Sequence, residues 1–147
     1  MNKIMIAVKE VHPQDICMYK KGSFYHVYDK DANIMAYFFG YKIKEIRGGE
    51  IQAGFPQVSL QKVLNKLEEY QINYVVMDRR NQYDVDFKKN FALANQYELY
   101  CRLARKYTNC LKRIDKLSRF LKENIHKEEF LELISRLEKI AYERRKV

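Results

Sequence analysis

The cations of one short stretch are the first candidates for chemistry. Residues 101–122 hold eight of them, Arg102, Arg105, Lys106, Lys112, Arg113, Lys116, Arg119 and Lys122, against one acid, Asp115. A solvated helix ordinarily mixes signs so that residues four apart can pair. One-signed charge repels itself unless something anionic covers it. A phosphate backbone is the cover this pattern fits first. An acidic protein surface and a merely solvated face are the other two readings. The excess is general: 28 Lys and Arg stand against 19 Asp and Glu, a net charge of +9. It is also uneven. Residues 1–80 carry 12 bases and 9 acids, net +3, and residues 81–147 carry 16 and 10, net +6.

Groupings that could catalyse are sparse. Asp29-x-Asp31 and Asp84-x-Asp86 could hold a divalent metal for phosphodiester chemistry, which keeps a metal-dependent nuclease as an alternative. The first pair equally fits a helix N-cap and the second a solvated linker. No phosphate-binding G-x-x-x-x-G-K-[ST], H-E-x-x-H or G-x-S-x-G occurs. Cys17, Cys101 and Cys110 are too widely spaced for a zinc site or a disulfide framework and read as reduced thiols. His12 and His126 read as turn residues. The expectation is a protein that is not an enzyme and uses no cofactor and no metal. No apolar run reaches the roughly 18 residues that span a bilayer. Met1–Val11 carries Lys3, Lys9 and Glu10 and lacks a signal-peptide core. A cytoplasmic location with no membrane contact is expected.

The elements that must position these residues follow from periodicity. Ile4, Ile6 and Val8 alternate and predict a short first strand. Ile16–Tyr19 and Phe24–Tyr28 are aromatic and β-branched runs separated by Lys20, Lys21, Gly22 and Ser23, a hairpin. Asp29 and Asp31 can cap a helix over Ala32–Phe39, which Gly40 ends. Tyr41–Ile46 alternates and predicts a strand whose wet face carries Lys42 and Lys44. Gly48-Gly49 turns the chain into a strand from Ile51. Pro56 and Ser59 introduce a helix over Leu60–Tyr70, with Val63, Leu64 and Leu67 on one face. Ile72–Met77 is apolar throughout, as a strand buried on both faces would be. The polar run Asp78–Asp86 marks a boundary near residue 80. Beyond it only helix is predicted. Leu103, Tyr107, Cys110, Ile114, Leu117 and Leu121 are spaced 4, 3, 4, 3, 4, a heptad seam. Phe130, Ile134, Leu137 and Ala141 form a second stripe. The fold class is therefore α/β (α+β): a small mixed β-sheet flanked by helices over residues 1–80, then an antiparallel helical hairpin over 81–147. The seam either packs within the chain or makes a homo-oligomer.

The stretch Met18–Arg79 carries a resemblance. The run Tyr19-Lys-Lys-Gly-Ser-Phe-Tyr-His-Val-Tyr-Asp-Lys-Asp-Ala32 resembles the Y-x-x-G-D-F-Y-E-x-F-x-x-D-A signature of the N-terminal mismatch-recognition domain of the DNA mismatch-repair protein MutS. His12-Pro13, Gly40–Lys44, Ala53-Gly-Phe-Pro56, Leu60–Tyr70 and Tyr74–Asp78 continue the similarity in order. In that family the Phe of the signature's F-x-E wedges beside a mispaired base and the Glu bonds to the base. The resemblance makes Phe24 the wedge. An apolar ring can enter a partly opened base step, and unstacking costs less where the base is already mispaired. The chain departs from the signature at Ser23, where the family has Asp, and at His26, where it has Glu. A histidine can donate or accept a hydrogen bond, or carry positive charge. It would therefore attract a phosphate or a purine acceptor where a carboxylate would not.

The nucleic-acid-binding candidates are thus Phe24 and His26, flanked by Lys20, Lys21, Lys44 and Arg47, with Arg105, Lys112, Arg113, Lys116 and Arg119 of the tail as phosphate contacts. The expected partner is mispaired or irregular DNA or RNA duplex. Stand-alone proteins similar to this domain accompany diversity-generating retroelements, so the resemblance also implies docking on a reverse transcriptase or another polymerase. A protein–protein adaptor acting through the basic helices is the alternative.

Overall fold

The computed structural model describes residues 1–78, the backbone of residues 84–89, and residues 93–145. Six strands form one mixed sheet: β1 (Ile16–Lys21), β2 (Phe24–Tyr28), β3 (Lys44–Glu45), β4 (Ile51–Pro56), β5 (Tyr74–Asp78) and β6 (Asp84–Lys89), in the order β3-β4-β2-β1-β5-β6. Helices α1 (Lys3–Val11), α2 (Asp29–Phe39), α3 (Leu60–Glu69), α4 (Tyr97–Asn124) and α5 (Glu128–Arg145) complete the chain. The α+β class with a terminal helical pair is the one expected.

The centre of the sheet is where the sequence is apolar without alternation. All of β5 and the first four residues of β1 are buried, because both faces of these strands are covered. Strands β1 and β5 run parallel, and the remaining pairings are antiparallel. On one face Ile16, Met18, Tyr25, Val27, Phe55, Tyr74 and Val76 pack with Ile34 and Met35 of α2, Val63, Leu64 and Leu67 of α3, and Tyr97 and Ala104 of α4. Leu67 is fully buried, so its truncation to Ala would cost about 2–5 kcal/mol. Many of the aromatics extend this core as a chain of touching rings. Tyr25 stacks on Phe55, Phe55 on Tyr41 and Tyr41 on Phe39; Phe38 then meets Tyr70 and Tyr100, and Tyr37 meets Tyr107.

On the opposite face Cys17, Tyr19, Val75 and Met77 pack under α1 through Met5, with Met1 and Val8 at the margin. The predicted first strand is thus a helix. Met1, Met5 and Val8 repeat at i, i+4 and i+7, and Asn2 caps the turn by accepting from the Met5 N–H at 2.9 Å. The alternation of Ile4 and Ile6 is incidental, since both stay exposed.

The hairpin turn is Gly22-Ser23, with φ +64° at Gly22, a conformation that favours glycine. Lys20 and Lys21 belong to β1 itself. Gly40 ends α2 in the left-handed conformation, as expected. The helix begins three residues before the predicted Ala32, and Asp29 and Asp31 lie in its first turn without capping it. Asp29 accepts from the Ile51 N–H at 3.2 Å, and Asp31 is buried. Of the strand predicted over Tyr41–Ile46 only Lys44–Glu45 pairs, at the sheet edge, with Gln52 and Ile51 of β4.

One compact unit runs Met1–Thr108 and a second Asn109–Val147. The first extends past residue 80, since β6 pairs with β5 and the start of α4 joins the core. Tyr97, Ala104 and Thr108 are the buried positions of α4, with Leu103 and Tyr107 half-buried, so the face that meets the sheet is rotated from the predicted seam. In the second unit the chain doubles back. Phe120 of α4 meets Phe130 of α5 edge-on at 5.6 Å, and Ile134 lines a groove with Ile114 and Leu117.

Asp31 ties the first unit together. Its carboxylate accepts from Lys9 Nζ of α1 at 3.0 Å, from the Cys17 N–H of β1 at 3.0 Å, and from the Tyr97 hydroxyl of α4 at 2.7 Å. Lys9 Nζ also donates to the Asp15 carbonyl at 2.7 Å. Burial holds the Asp31 carboxyl above the ordinary carboxylate range, against the pull of Lys9 and the other donors. Removing one partner of such a cluster strands the rest and costs about 3–5 kcal/mol.

Candidate nucleic-acid interface

Alternation along β2 sends Tyr25 and Val27 into the core and Phe24, His26 and Tyr28 to the other face. Register then fixes their neighbours. Lys21, Phe24 and Pro56 stand in one row across β1, β2 and β4. Tyr19, His26 and Gly54 stand in the next. Tyr28 and Gln52 stand in the third, and β3 adds Lys44 beside Gln52. Directly paired residues are about 5 Å apart and successive rows about 7 Å. Helix α1 covers Tyr19, leaving Phe24 46% exposed, with Lys21 and Lys44 exposed and His26 half-buried.

This surface has the parts that base contact needs. Phe24 begins its strand beside a two-residue turn, so its ring is an apolar projection rather than a core residue. Lys21 stands beside it, and Lys44 lies two strands away on the same sheet, both positive charges that a phosphate backbone can neutralise. Gln52 Nε2 lies 2.6 Å from His26 Nδ1. An amide nitrogen can only donate, so Nδ1 is the acceptor and the ring of the neutral histidine carries its proton on Nε2. Burial, and then the nearby Lys21 ammonium, hold the His26 pKa below its ordinary value. His26 is therefore a neutral N–H donor near pH 7, suited to a base acceptor, rather than a cation for phosphate. Gly54 gives the ring its place. A Cβ there would lie 3.2 Å from His26 Nδ1 and 3.4 Å from the Tyr25 carbonyl oxygen.

The other expected residues fall elsewhere. Lys20 points to the opposite face and pairs with Asp78 at 3.7 Å. Arg47 is exposed in the turn Arg47–Gly49 before β4. Arg105 is exposed on α4 in the first unit, and Lys112, Arg113, Lys116 and Arg119 are exposed in the second. Gln52 and Gly54 were not among the candidates, because only the β2–β4 register reveals them. The Ala53-Gly-Phe-Pro56 match had marked the glycine without its role.

The aspartates that a nuclease would use are otherwise engaged or undescribed. Asp29 and Asp31 hold backbone and side-chain donors of the fold, and the side chains of Asp84 and Asp86 lie outside the described residues. Among the described residues no three His, Cys, Asp or Glu side chains gather so as to hold a metal ion. Burial pushes the Cys17 thiol up to about 12, leaving it inert. No helix among the described residues is long and apolar enough to cross a membrane.

A mixed sheet with an exposed aromatic at a hairpin, beside one cation and on the face of a donor histidine, is the arrangement of a nucleic-acid-binding α+β domain. The chain belongs to the MutS domain I family, whose profile matches residues 1–91. Comparison with curated proteins returned no match.

Proposed function

We propose that this protein recognises mispaired or otherwise irregular duplex, without catalysis, through the open face of β2 and β4. The observation that carries the reading is the Phe24 ring, exposed on the same face as His26 and one strand from Lys21. A mispaired step opens cheaply, the ring stacks into it, and His26 Nε2–H is placed on the same face to donate to the extruded edge. Lys21 and Lys44 hold the backbone. Membership of the MutS domain I family supports DNA as the nucleic acid. The retroelement setting, with a reverse transcriptase or another polymerase as partner, is part of this proposal on the resemblance alone.

Fluorescence anisotropy with labelled duplexes tests it. The protein should bind a duplex with a single mispair more tightly than the perfect one, and affinity should fall steeply with salt as counterions are released. An adaptor that works only through its helices would show weak binding, flat in salt and equal for both duplexes.

A further inference from the structure

Helix α1 and the junction of β2 with α2 line a cavity of about 400 Å³, all of it within the first unit. Buried Tyr19, Asp31 and Tyr97 form its floor, and half-buried Tyr28 a wall. Exposed Ile6, Pro13, Asp29 and Lys30 stand at its rim. The size lies at the lower end of the ~300–1,000 Å³ of pockets that hold small organic ligands, where a single ring system fits.

The lining selects the chemistry of the occupant. Tyr19, Tyr28 and Tyr97 offer aromatic surface, and Ile6 and Pro13 add apolar surface, which suits a flat ring. A cation has no place there, because Lys9 Nζ already lies 4.8 Å from the centre of the Tyr97 ring and donates to Asp31. A phosphate is not drawn inside either. Glu10, Asp29 and Asp31 outnumber Lys9 and Lys30 in the lining. What remains is a neutral ring with N–H donors. Asp29 can accept from it: its Oδ1 takes the Ile51 N–H at 3.2 Å, and a carboxylate has about four acceptor positions. A nucleobase that has lost its pairing partner is such a ring, with donors in need of acceptors and faces free to stack.

The cavity adjoins the place where such a base arises. Tyr19 pairs with His26 across β1 and β2, and Tyr28 follows His26 along β2, so two of its rings stand in the two rows next to that of Phe24. The nearer row lies about 7 Å from Phe24, about two base steps of ~3.4 Å. A base pushed aside by the Phe24 ring has the cavity within reach.

We propose that this cavity seats the base that Phe24 displaces, stacked on Tyr28 and bonded to Asp29, while the sugar–phosphate backbone stays outside on Lys21 and Lys30. The inference rests on the mismatch reading and adds to it the destination of the extruded base.

The test uses the full chain and a duplex with one unpaired thymidine, beside the same duplex with an abasic residue in that place. Both offer Phe24 a weakened step, and only the first has a base to seat. By anisotropy the parent should bind the thymidine bulge several-fold more tightly than the abasic one. Ile6→Trp fills the rim from an exposed position, so the variant should melt as the parent does while that preference disappears. With 4-thiothymidine as the unpaired residue, irradiation should attach it to Tyr28 or to the rim, as mapped by mass spectrometry. Free thymidine at about 1 mM should leave the attachment unchanged; a block at about 1 μM would assign the cavity to a free nucleoside and overturn the proposal. Equal affinity of the parent for the two bulges, an Ile6→Trp chain that keeps the preference, or attachment elsewhere on the protein would overturn it too. Those outcomes leave the mismatch reading standing, since that is judged by the preference for a mispaired over a perfect duplex. If the parent lacks even that preference, both fall.

Discussion

Gln52 donates its side-chain amide to Nδ1 of His26 across the β2–β4 boundary, at 2.6 Å, and so leaves the ring's proton on Nε2, in a side chain on the face that carries Phe24. A strand residue that sequence marks only as a departure from a signature thus becomes an oriented neutral donor. This relationship also gives His26 a pH signature. Its folded pKa is lowered, so on acidification the unfolded chain takes up a proton first, below about pH 6.5. The neutral ring's contribution is fully present above pH 6.5 and is lost as pH falls toward the folded pKa. His26→Gln should flatten that part of the stability curve, measured by urea unfolding from pH 7.5 to 5. NMR titration should show Lys21→Gln moving the His26 pKa upward.

Phe24→Ala should lower the preference for a mispaired over a perfect duplex about tenfold, from the ~1–3 kcal/mol that base–aromatic stacking contributes. Because the ring is half exposed, thermal stability should barely change. Equal loss on both duplexes, read by anisotropy, would make Phe24 a general contact and not a wedge.

Gly54→Ala should displace the His26 ring, since a methyl at this position meets Nδ1 at 3.2 Å and backbone at 3.4 Å. The expected outcome is a several-fold loss of mispair affinity with a destabilisation of about 1–3 kcal/mol. The His26 ring resonances should shift, while those of Tyr74 and Val76 on the opposite face of the sheet stay in place.

Asp31→Ala should destabilise the first unit by about 3–5 kcal/mol, because Lys9, the Cys17 N–H and the Tyr97 hydroxyl lose their shared acceptor together. Urea unfolding measures it. A loss under about 1 kcal/mol would mean that water replaces the carboxylate at little cost.

Substituting Lys112, Arg113 and Lys116 by Glu should reduce the slope of log affinity against log salt by up to about three, near 0.9 for each phosphate contact removed. An unchanged slope would take the second unit out of the nucleic-acid surface.

Much of the fold was legible from residue pattern. The hairpin around Gly22, the α3 stripe of Val63, Leu64 and Leu67, the stop at Gly40 and the doubly buried β5 all follow from local rules, and the structure agrees with them. Met1–Val11 was misread because a period of two and a period of 3.6 overlap in so short a run, and the Asn2 cap decides between them. For the interface, Phe24 and His26 came from the signature. Alternation along β1 places Lys20 on the face opposite Lys21, a fact that the run of two lysines does not reveal. Gln52 and Gly54 needed cross-strand register, a non-local fact that no single stretch of sequence carries. Asp31, read as a cap, proved to be a buried anchor, since its partners Lys9, Cys17 and Tyr97 come from three other elements.

The parallel pairing of β1 with β5 joins Ile16 to Tyr74. During synthesis, therefore, the hairpin that bears Phe24 leaves the ribosome with one edge unpaired and waits for most of the domain to follow. Non-local closure of this kind is slow, and an open strand edge is adhesive in the meantime. A fragment that stops after β4 would keep every residue of the open face and yet lack the strand that pairs the free edge of β1, so it should clump rather than bind.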